Sequence, residues 1–265
     1  MITELYSNSI YMLLTVLLFA LAFDLLIGEF PAKMHPVVWI GKIISFFKNY
    51  LIKYDNKISG LVISICVIAV SSLIVLVPML LIKHFMYIND GMIYLFKLVA
   101  LLLLSSTFSV KLLIDSARDV ENDLKNNNLN KARQAVSYLV SRKTSELNKE
   151  HVISAVIETL TENIPDSYVS TIFYYSIVGI IAFLLGFNDF TVVILAILAA
   201  LIHRVVDTMD SMLGYKTDEL YNIGFVPAHL DDILNYIPAR ISGFLIIISA
   251  AFLALNWRGA YYIMQ

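Results

Sequence analysis

The chain has 265 residues, of which 59% are hydrophobic and 15% are charged, and its formal net charge is −2. The mean hydropathy is +0.77, and a single soluble domain of this length has too few polar side chains to cover so much apolar surface. The composition therefore excludes an ordinary cytosolic enzyme, a disordered chain and a nucleic-acid-binding module. The single cysteine, Cys66, also excludes an internal disulfide and a cysteine metal cluster.

Six stretches of the chain are candidate membrane spans, since about 20 apolar residues cross about 30 Å of hydrocarbon. They are residues 5–23, 58–82, 91–114, 167–188, 190–206 and 241–257. The third stretch contains Lys97 and Lys111, whose long side chains can reach the membrane surface. Because the last stretch is short, the sequence predicts an all-α, polytopic membrane protein with five or six transmembrane helices in a lipid bilayer.

The basic residues are distributed unevenly between the segments that connect these stretches. Residues 28–57, 115–165 and 207–238 together carry thirteen lysines and arginines, whereas the segments on the opposite side carry only Lys83 and Arg258. Cytoplasmic loops of membrane proteins carry an excess of Lys and Arg. We therefore expect a cell-membrane protein with its N-terminus outside and all three long polar segments on the cytoplasmic face.

The three polar segments differ in pattern. Residues 28–57 begin with a loop shaped by two prolines and two glycines, and continue as an amphipathic helix at the membrane surface. Residues 115–165 show helical periodicity on both sides of three consecutive asparagines, which predicts a small helical insertion within one membrane domain covering 1–265. Pro165 is expected to end this helical pattern. Residues 207–240 crowd six acids together, which are Asp207, Asp210, Asp218, Glu219, Asp231 and Asp232.

Glu158 and Glu162 are four residues apart on a predicted helix, so their carboxylates lie on one face. This pair is explained either by a solvated helix face or by a bound cation that offsets the repulsion of like charges. Hard cations such as Mg²⁺ take oxygen ligands, usually one or two carboxylates together with substrate phosphate. The acids of residues 207–240 lie on the same membrane side, where an unpaired carboxylate is costly, and this favours the cation.

Other polar residues near the membrane allow several roles. His35 can be a general base, a phosphate partner or a hydrogen-bond donor within its loop. Arg204, at the end of the fifth stretch, is interpreted as a topology anchor, whereas Arg240 follows the acidic run and is a functional candidate. Motifs of P-loop, dinucleotide and zinc-protease sites are absent from the sequence. The residues alone thus indicate an enzyme that handles an anionic or phosphorylated substrate with a divalent cation.

Four ordered stretches of the chain contain recognisable motifs. They cover residues 24–42, 126–147, 155–174 and 207–242, and contain HPVVWIGK, SRKTSEL, ETLTENIPDSY and LDDILNYIPAR. Together they resemble the CbiB/CobD family of cobalamin biosynthesis, the adenosylcobinamide-phosphate synthases. The resemblance implies an ATP- and Mg²⁺-dependent ligase that joins aminopropanol, or its O-phosphate, to a propionate carboxylate of cobyric acid, a corrin. The alternative is a non-enzymatic membrane signalling or binding protein, as in the related AmpE-type proteins. A transporter is disfavoured, because transporter sites usually lie at mid-membrane.

The resemblance and the chemistry of the residues together give three groups of expected site residues. The expected catalytic residues are His35, Glu158, Glu162, Asn163, Asp210 and Asp232. The expected substrate-binding residues are Asp24, Glu29, Arg142, Thr144, Tyr215, Lys216, Asn235 and Arg240. The expected Mg²⁺ ligands are Glu162, Asp166, Asp231 and Asp232. The acids would hold Mg²⁺ against a transferred phosphoryl group, the basic side chains would neutralise phosphate or carboxylate, and a carboxylate or His35 would accept the amine proton.

The chain departs from the family pattern in three places. Ser141 and Lys143 flank Arg142, where the family usually has glycine and aspartate, and Asp207 stands where the family usually has asparagine. Family members typically continue into a polar tail rich in proline and asparagine, whereas the sequence here ends at Gln265. The last difference puts in doubt the activity of a chain cut short of that tail.

Overall fold

The computed structural model describes residues 2–31, 33–86, 88–89, 91–140 and 143–264, and the side chains among them except those of residues 2–7, 263 and 264. Arg142, one of the expected substrate-binding residues, and Ser141 lie outside the described residues. The regular elements in these ranges are helices, with no strand among them. They are α1 (Ile2–Leu26), α2 (Pro36–Leu51), α3 (Lys57–Phe85), α4 (Met92–Ser105), α5 (Val110–Lys125), α6 (Leu129–Ser137), α7 (Lys149–Ile164), α8 (Ser170–Leu184), α9 (Asp189–Leu213), α10 (Phe225–Phe252) and α11 (Trp257–Met264).

Five helical runs in the described residues are long and apolar enough to cross a membrane. They are Asn8–Leu26, Lys57–Phe85, Lys149–Leu184, Asp189–Leu213 and Phe225–Phe252. The bent pair α4 and α5 forms a sixth if the two helices count as one span. The prediction of an all-α, polytopic membrane protein with five or six spans is therefore confirmed.

Helix α9 lies at the centre of the bundle and contacts α1, α2, α3, α4, α8 and α10. Its residues Val192, Ala196 and Ala200 are completely buried, as expected for a helix that is apolar on all sides. Gly179 of α8 allows close packing here, because a Cβ at that position would lie 3.3 Å from the Cβ of Ala196. The buried centre of α9 thus holds the ends of the surrounding helices in a defined arrangement.

The third predicted span is broken. Helix α4 ends at Ser105, and α5 begins at Val110 with its axis bent by 41°. The carboxylate of Asp24 on α1 accepts hydrogen bonds from the backbone N–H groups of Val110, at 3.1 Å, and Lys111, at 3.3 Å. These groups have no partner within a helix that starts here, so the bond to Asp24 stabilises the break.

Pro165 does not end the helical pattern, contrary to expectation. Helix α7 continues through a π-helical turn, Pro165–Val169, directly into α8. Proline lacks the N–H group that an α-helix needs in its interior, and a π turn accommodates this change of hydrogen bonding. The 36-residue run Lys149–Leu184 therefore extends from the polar insertion into the membrane without a loop.

Helix α10 begins earlier than the last predicted span. The acidic and proline-containing residues 231–240, which the sequence pattern places in a polar segment, lie within this helix. Pro238 lies inside this helix and is buried. The helix thus carries polar groups against α8 and α9 before it continues as the apolar span.

The insertion and the surface helix have their own buried residues. Helices α5, α6 and α7 share a small apolar core formed by Val120, Leu124, Ala132, Val136, Val152, Ala155 and Val156. In α2, His35 is the N-cap and Pro36 is the first residue, which suits the fixed backbone angle of proline. Ile40 and Ile44 are the buried residues of α2 and belong to the main core. The predicted amphipathic helix is therefore present, but it begins earlier than expected, so that Pro36 and Gly41 belong to the helix and not to the loop before it.

Candidate active site

A polar cavity of about 510 Å³ opens where α7, α9 and α10 meet. Six carboxylates line it, which are Glu158, Glu162, Asp166, Asp207, Asp210 and Asp231. The remaining lining residues are Leu139, Val140, Thr159, Asn163, Ser211, Gly214 and Tyr215. Because like charges repel most strongly where water is scarce, this arrangement favours a ligand that brings positive charge.

Helix α7 and the π turn supply three of these carboxylates. Glu158, Glu162 and Asp166 follow one another at intervals of four residues, so they lie along one face. The Nδ2 group of Asn163 donates to the carbonyl of Thr159 at 2.8 Å, and the Ser167 hydroxyl donates to the carbonyl of Asn163 at 2.7 Å. The two side chains thus provide hydrogen-bond donors to backbone carbonyl groups close to the π turn.

The C-terminal turns of α9 supply the facing wall. Asp207, Asp210, Ser211 and Gly214 recur at helical spacing and line the cavity. Gly214 has no room for a side chain, because a Cβ there would lie 2.0 Å from Oδ1 of Asp210 and 2.8 Å from its carbonyl oxygen. The glycine therefore permits the observed position of the Asp210 carboxylate.

Arg204 supplies positive charge beside the acids. Its Nη1 group donates to Oδ2 of Asp207 at 2.9 Å, and its Nη2 group donates to the Ser109 hydroxyl at 3.1 Å. The side chains of Arg204 and Asp207 are only 14% and 15% exposed, so the ion pair is poorly screened by solvent. Arg204 is thus a counter-ion within the site, a role that the sequence did not suggest.

Helix α10 presents Asp231 to the cavity and Asn235 behind it. The Nδ2 group of Asn235 donates to Oδ2 of Asp231 at 3.0 Å. Oδ1 of Asn235 accepts from the Ser170 hydroxyl at 2.8 Å and lies 2.9 Å from Nε2 of His203. Helices α8, α9 and α10 are therefore joined by polar contacts next to the cavity.

The structure brings most of the expected acidic residues together. Seven expected site residues line the cavity, which are Glu158, Glu162, Asn163, Asp166, Asp210, Tyr215 and Asp231. Asn235 does not line the cavity, but it hydrogen-bonds to Asp231, which does. Asp232 is exposed and does not line the cavity, although its charge acts on Asp210. Its expected roles as catalyst and metal ligand stay predictions.

Several expected substrate-binding residues lie elsewhere or have other partners. Lys216 is exposed beside Tyr215. Thr144 is buried, and its carbonyl accepts from the backbone N–H of Leu147. Arg240 donates to the carbonyl of Tyr236 at 2.7 Å, and its guanidinium lies 3.5 Å from the centre of the Tyr236 ring. Asp24 caps α5, as described above, and none of these four residues lines the cavity.

His35 and Glu29 form a separate pair in the loop before α2. Nδ1 of His35 accepts from the backbone N–H of Val37 at 3.2 Å, and Nε2 lies 3.9 Å from the carboxylate of Glu29. Burial lowers the pKa of His35 below 6.5, and the nearby negative charge of Glu29 opposes this effect. The structure therefore shows His35 as a helix cap, and its expected role as a base stays a prediction.

The donor set fits a magnesium ion that arrives with phosphate. Among the described residues, no three His, Cys, Asp or Glu side chains are arranged to hold one metal ion together. Mg²⁺ usually takes only one or two protein carboxylates and completes its shell with water and substrate phosphate. Oδ1 of Asp231 is buried and lacks a hydrogen-bond partner in the described part of the chain, while Asp166 lies within electrostatic range of Asp231. The carboxylates of Asp166 and Asp231 thus match the one or two protein ligands that Mg²⁺ usually takes.

Sequence reasoning gave no site role to Arg204 or His203, and it counted Asp207 only as one of the clustered acids. The available signal was their position on α9, since Arg204, Asp207, Asp210 and Ser211 recur at helical spacing on one face. A charged pair at the end of an apolar helix also has a simpler explanation as an anchor. The contacts of Arg204 with Ser109 and of His203 with Asn235 join distant parts of the chain, and only the structure shows them.

Comparisons with known proteins give a consistent result. The model of the CobD/Cbib protein family matches residues 17–262. A probable cobalamin biosynthesis protein CobD from Methanothermobacter thermautotrophicus is 41% identical over 94% of this chain and 74% of its own length. The proteins of the same name from Methanothrix thermoacetophila and Methanocaldococcus jannaschii are 39% and 35% identical, over 94% and 93% of this chain and 73% and 75% of their own lengths. No solved structure matches the chain.

Proposed function

The chain belongs to the CobD/Cbib family of cobalamin biosynthesis proteins, and on that premise we propose that it is an ATP- and Mg²⁺-dependent amide ligase. It would join aminopropanol, or aminopropanol O-phosphate, to a propionate carboxylate of cobyric acid. The observation that carries the proposal is the cavity lined by six carboxylates at one end of the membrane bundle. Such a site suits substrates that are themselves cationic or that carry phosphate with a divalent cation.

The cavity residues have roles that agree with this reaction. Asp166 and Asp231 would hold Mg²⁺, which when bound would neutralise charge on the transferred phosphoryl group. Arg204 balances part of the negative charge through Asp207. The excess of acids attracts the ammonium group of aminopropanol by the same Coulomb interaction.

Amide formation also needs a proton acceptor, since an ammonium group must lose a proton before its nitrogen can attack. Glu158 and Glu162 line the cavity, so their carboxylates would be available to accept a proton from an amine bound there. His35 is not among the cavity residues and its Nδ1 is occupied by the cap of α2. We therefore favour the α7 carboxylates over His35 for this step.

The test is ligation by the purified, full natural protein in lipid. With ATP, Mg²⁺, cobyric acid and either aminopropanol or its O-phosphate, we expect an amide product by mass spectrometry, with the preferred amine identified by comparing the two. Omission of ATP or Mg²⁺ should remove the product. Binding of cobyric acid without any product under these conditions would instead support a non-enzymatic binding protein of the AmpE type.

A further inference from the structure

A buried polar cluster lies directly behind one wall of the cavity. It consists of Ser170 and Tyr174 on α8, His203 on α9 and Asn235 on α10. His203 is 1% exposed and Ser170 is 0% exposed. Polar groups are costly to bury inside a membrane protein and mark functional sites there. The proposed chemistry gives this histidine no task.

The hydrogen bonds of the cluster determine which atoms carry protons. The Nδ2 group of Asn235 donates to a carboxylate, so the Oδ1 atom is the one that faces Ser170 and His203. Because a carbonyl oxygen only accepts, Nε2 of His203 must carry the hydrogen. Nδ1 of His203 is buried and has no partner among the described residues. His203 is thus a donor to Asn235.

The ring of His203 is itself held in place. It stacks on the ring of Tyr174, with a centroid distance of 5.4 Å and an interplanar angle of 21°. The Tyr174 hydroxyl donates to the carbonyl of Leu234 at 2.8 Å, which ties α8 to α10 beside Asn235. The donor on His203 therefore has little freedom to rotate away from its acceptor.

The side-chain amide of Asn235 connects the fixed ring of His203 to the cavity. With its oxygen held by two donors, its Nδ2 group is directed at Oδ2 of Asp231. Oδ2 is then occupied, and Oδ1 of Asp231 is the atom without a partner. An outer residue that orients a ligand-binding carboxylate through a hydrogen bond is a common arrangement in metal and phosphate sites.

We propose that His203 is a positioning residue, which acts through Asn235 to orient the Asp231 carboxylate so that Oδ1 is reserved for the ligand of the cavity. The inference deepens the proposed function and rests on it for the identity of that ligand. The orientation of Asp231 itself does not depend on the reaction. It can therefore be measured separately.

The experiment compares two infrared difference spectra of protein labelled with carboxyl-¹³C aspartate. One is wild type minus Asp231→Asn, and the other is His203→Phe minus the double variant His203→Phe/Asp231→Asn. Each difference isolates the Asp231 carboxylate band. Phenylalanine keeps a ring against Tyr174 but has no donor, so we expect the band to shift between the two differences. His203→Gln restores an N–H donor and should return the band to its wild-type position.

Kinetics of the ligation give the second readout. We expect His203→Phe to lower kcat about 10- to 100-fold, the usual effect of losing such an outer partner, while His203→Gln keeps most of the rate. His229→Phe is the matched control, because it makes the same substitution at an exposed histidine of α10 that belongs neither to the cluster nor to the cavity lining. If His203→Phe does not fold, His203→Met, which also lacks a donor and adapts to irregular space, replaces it.

The outcomes separate the two proposals. Identical Asp231 bands with and without the donor at position 203 would overturn the positioning role. A kcat of His203→Gln as low as that of His203→Phe would also overturn it. A shifted band in a protein that ligates no amine would support the positioning role and reject the ligase.

Discussion

Glu162 illustrates how a single residue connects sequence to chemistry. It lies one turn from Glu158 and one turn from Asp166, and all three line the cavity. Adjacent carboxylates repel one another unless a cation or proton lies between them. Three such groups on one face of a cavity are easier to explain by a site that handles charge than by a solvated surface.

We expect Glu162→Gln to lower the ligation rate by roughly 10²–10³-fold, the effect typical of removing one group that stabilises charge in a transition state. The measurement is kcat in lipid with ATP and Mg²⁺ saturating. Glu150→Gln, at an exposed position in the first turn of the same helix, is the control and should behave as wild type. A wild-type rate for Glu162→Gln would remove Glu162 from the chemistry.

His35 makes a prediction about pH. Burial lowers its pKa in the folded protein, so the unfolded chain binds a proton at a higher pH than the folded one. The stability that the neutral His35 ring contributes is then present above about pH 6.5 and is lost as the pH falls from that value through the lower pKa of the folded protein. We expect His35→Asn, which keeps a capping acceptor but does not titrate, to lose less thermal stability than wild type between pH 7.5 and 5.5. Equal losses of thermal stability in His35→Asn and wild type would contradict the lowered pKa of His35.

At the scale of elements, the ends of helices decide where the acids lie. The π turn carries α7 into α8 without a loop, and the polar half of α10 packs against that turn and α9. Gly214 ends α9 at the point where Asp210 needs space. Small changes at these ends should therefore affect the cavity more than the core.

We expect Gly214→Ala to impair ligation more than folding, because its Cβ would displace the Asp210 carboxylate. Gly41→Ala is the matched control, since a Cβ there would meet Sδ of Met212 at an ordinary 3.6 Å. The two variants are compared by kcat and by thermal unfolding in detergent. The explanation fails if Gly214→Ala keeps full activity, or if Gly41→Ala loses as much.

Across the whole molecule, the cavity occupies one end of a helix that is as long as a bilayer is thick. Asp189 and Asp210 of α9 are about 30 Å apart along the helix, at a rise of about 1.5 Å per residue, and hydrocarbon is about 30 Å thick. The loop between α8 and α9 therefore lies on the membrane face opposite the cavity. Which face is cytoplasmic is predicted from the lysines and arginines.

We expect cysteines placed at Lys33, Glu150 and Lys216 to react with an impermeant thiol reagent only from the cytoplasmic side. Cysteines at Asn89 and Asn188 should react only from outside, and all five positions are exposed. Cys66 is first replaced by alanine, and sealed vesicles of both orientations are compared. Labelling of the first three positions from different sides would mean that the three polar segments do not share a face.

The sequence by itself determined the class of the molecule and much of its acidic site. Apolar stretches of sufficient length must form helices in a bilayer, where backbone groups need internal hydrogen bonds, so the spans follow from local pattern. Residues on one helix, such as Glu158, Glu162 and Asp166, share a face by geometry alone. The ordered motifs correctly identified the family.

Only the tertiary structure decided which parts of different helices meet. The break between α4 and α5 depends on Asp24, which is distant in sequence. Arg204 reaches Ser109, which precedes α5, and His203 reaches Asp231 only through Asn235. Such contacts depend on how helices pack and on which buried polar groups find partners. A local pattern contains no information about a partner on another helix, so periodicity alone did not reveal these contacts.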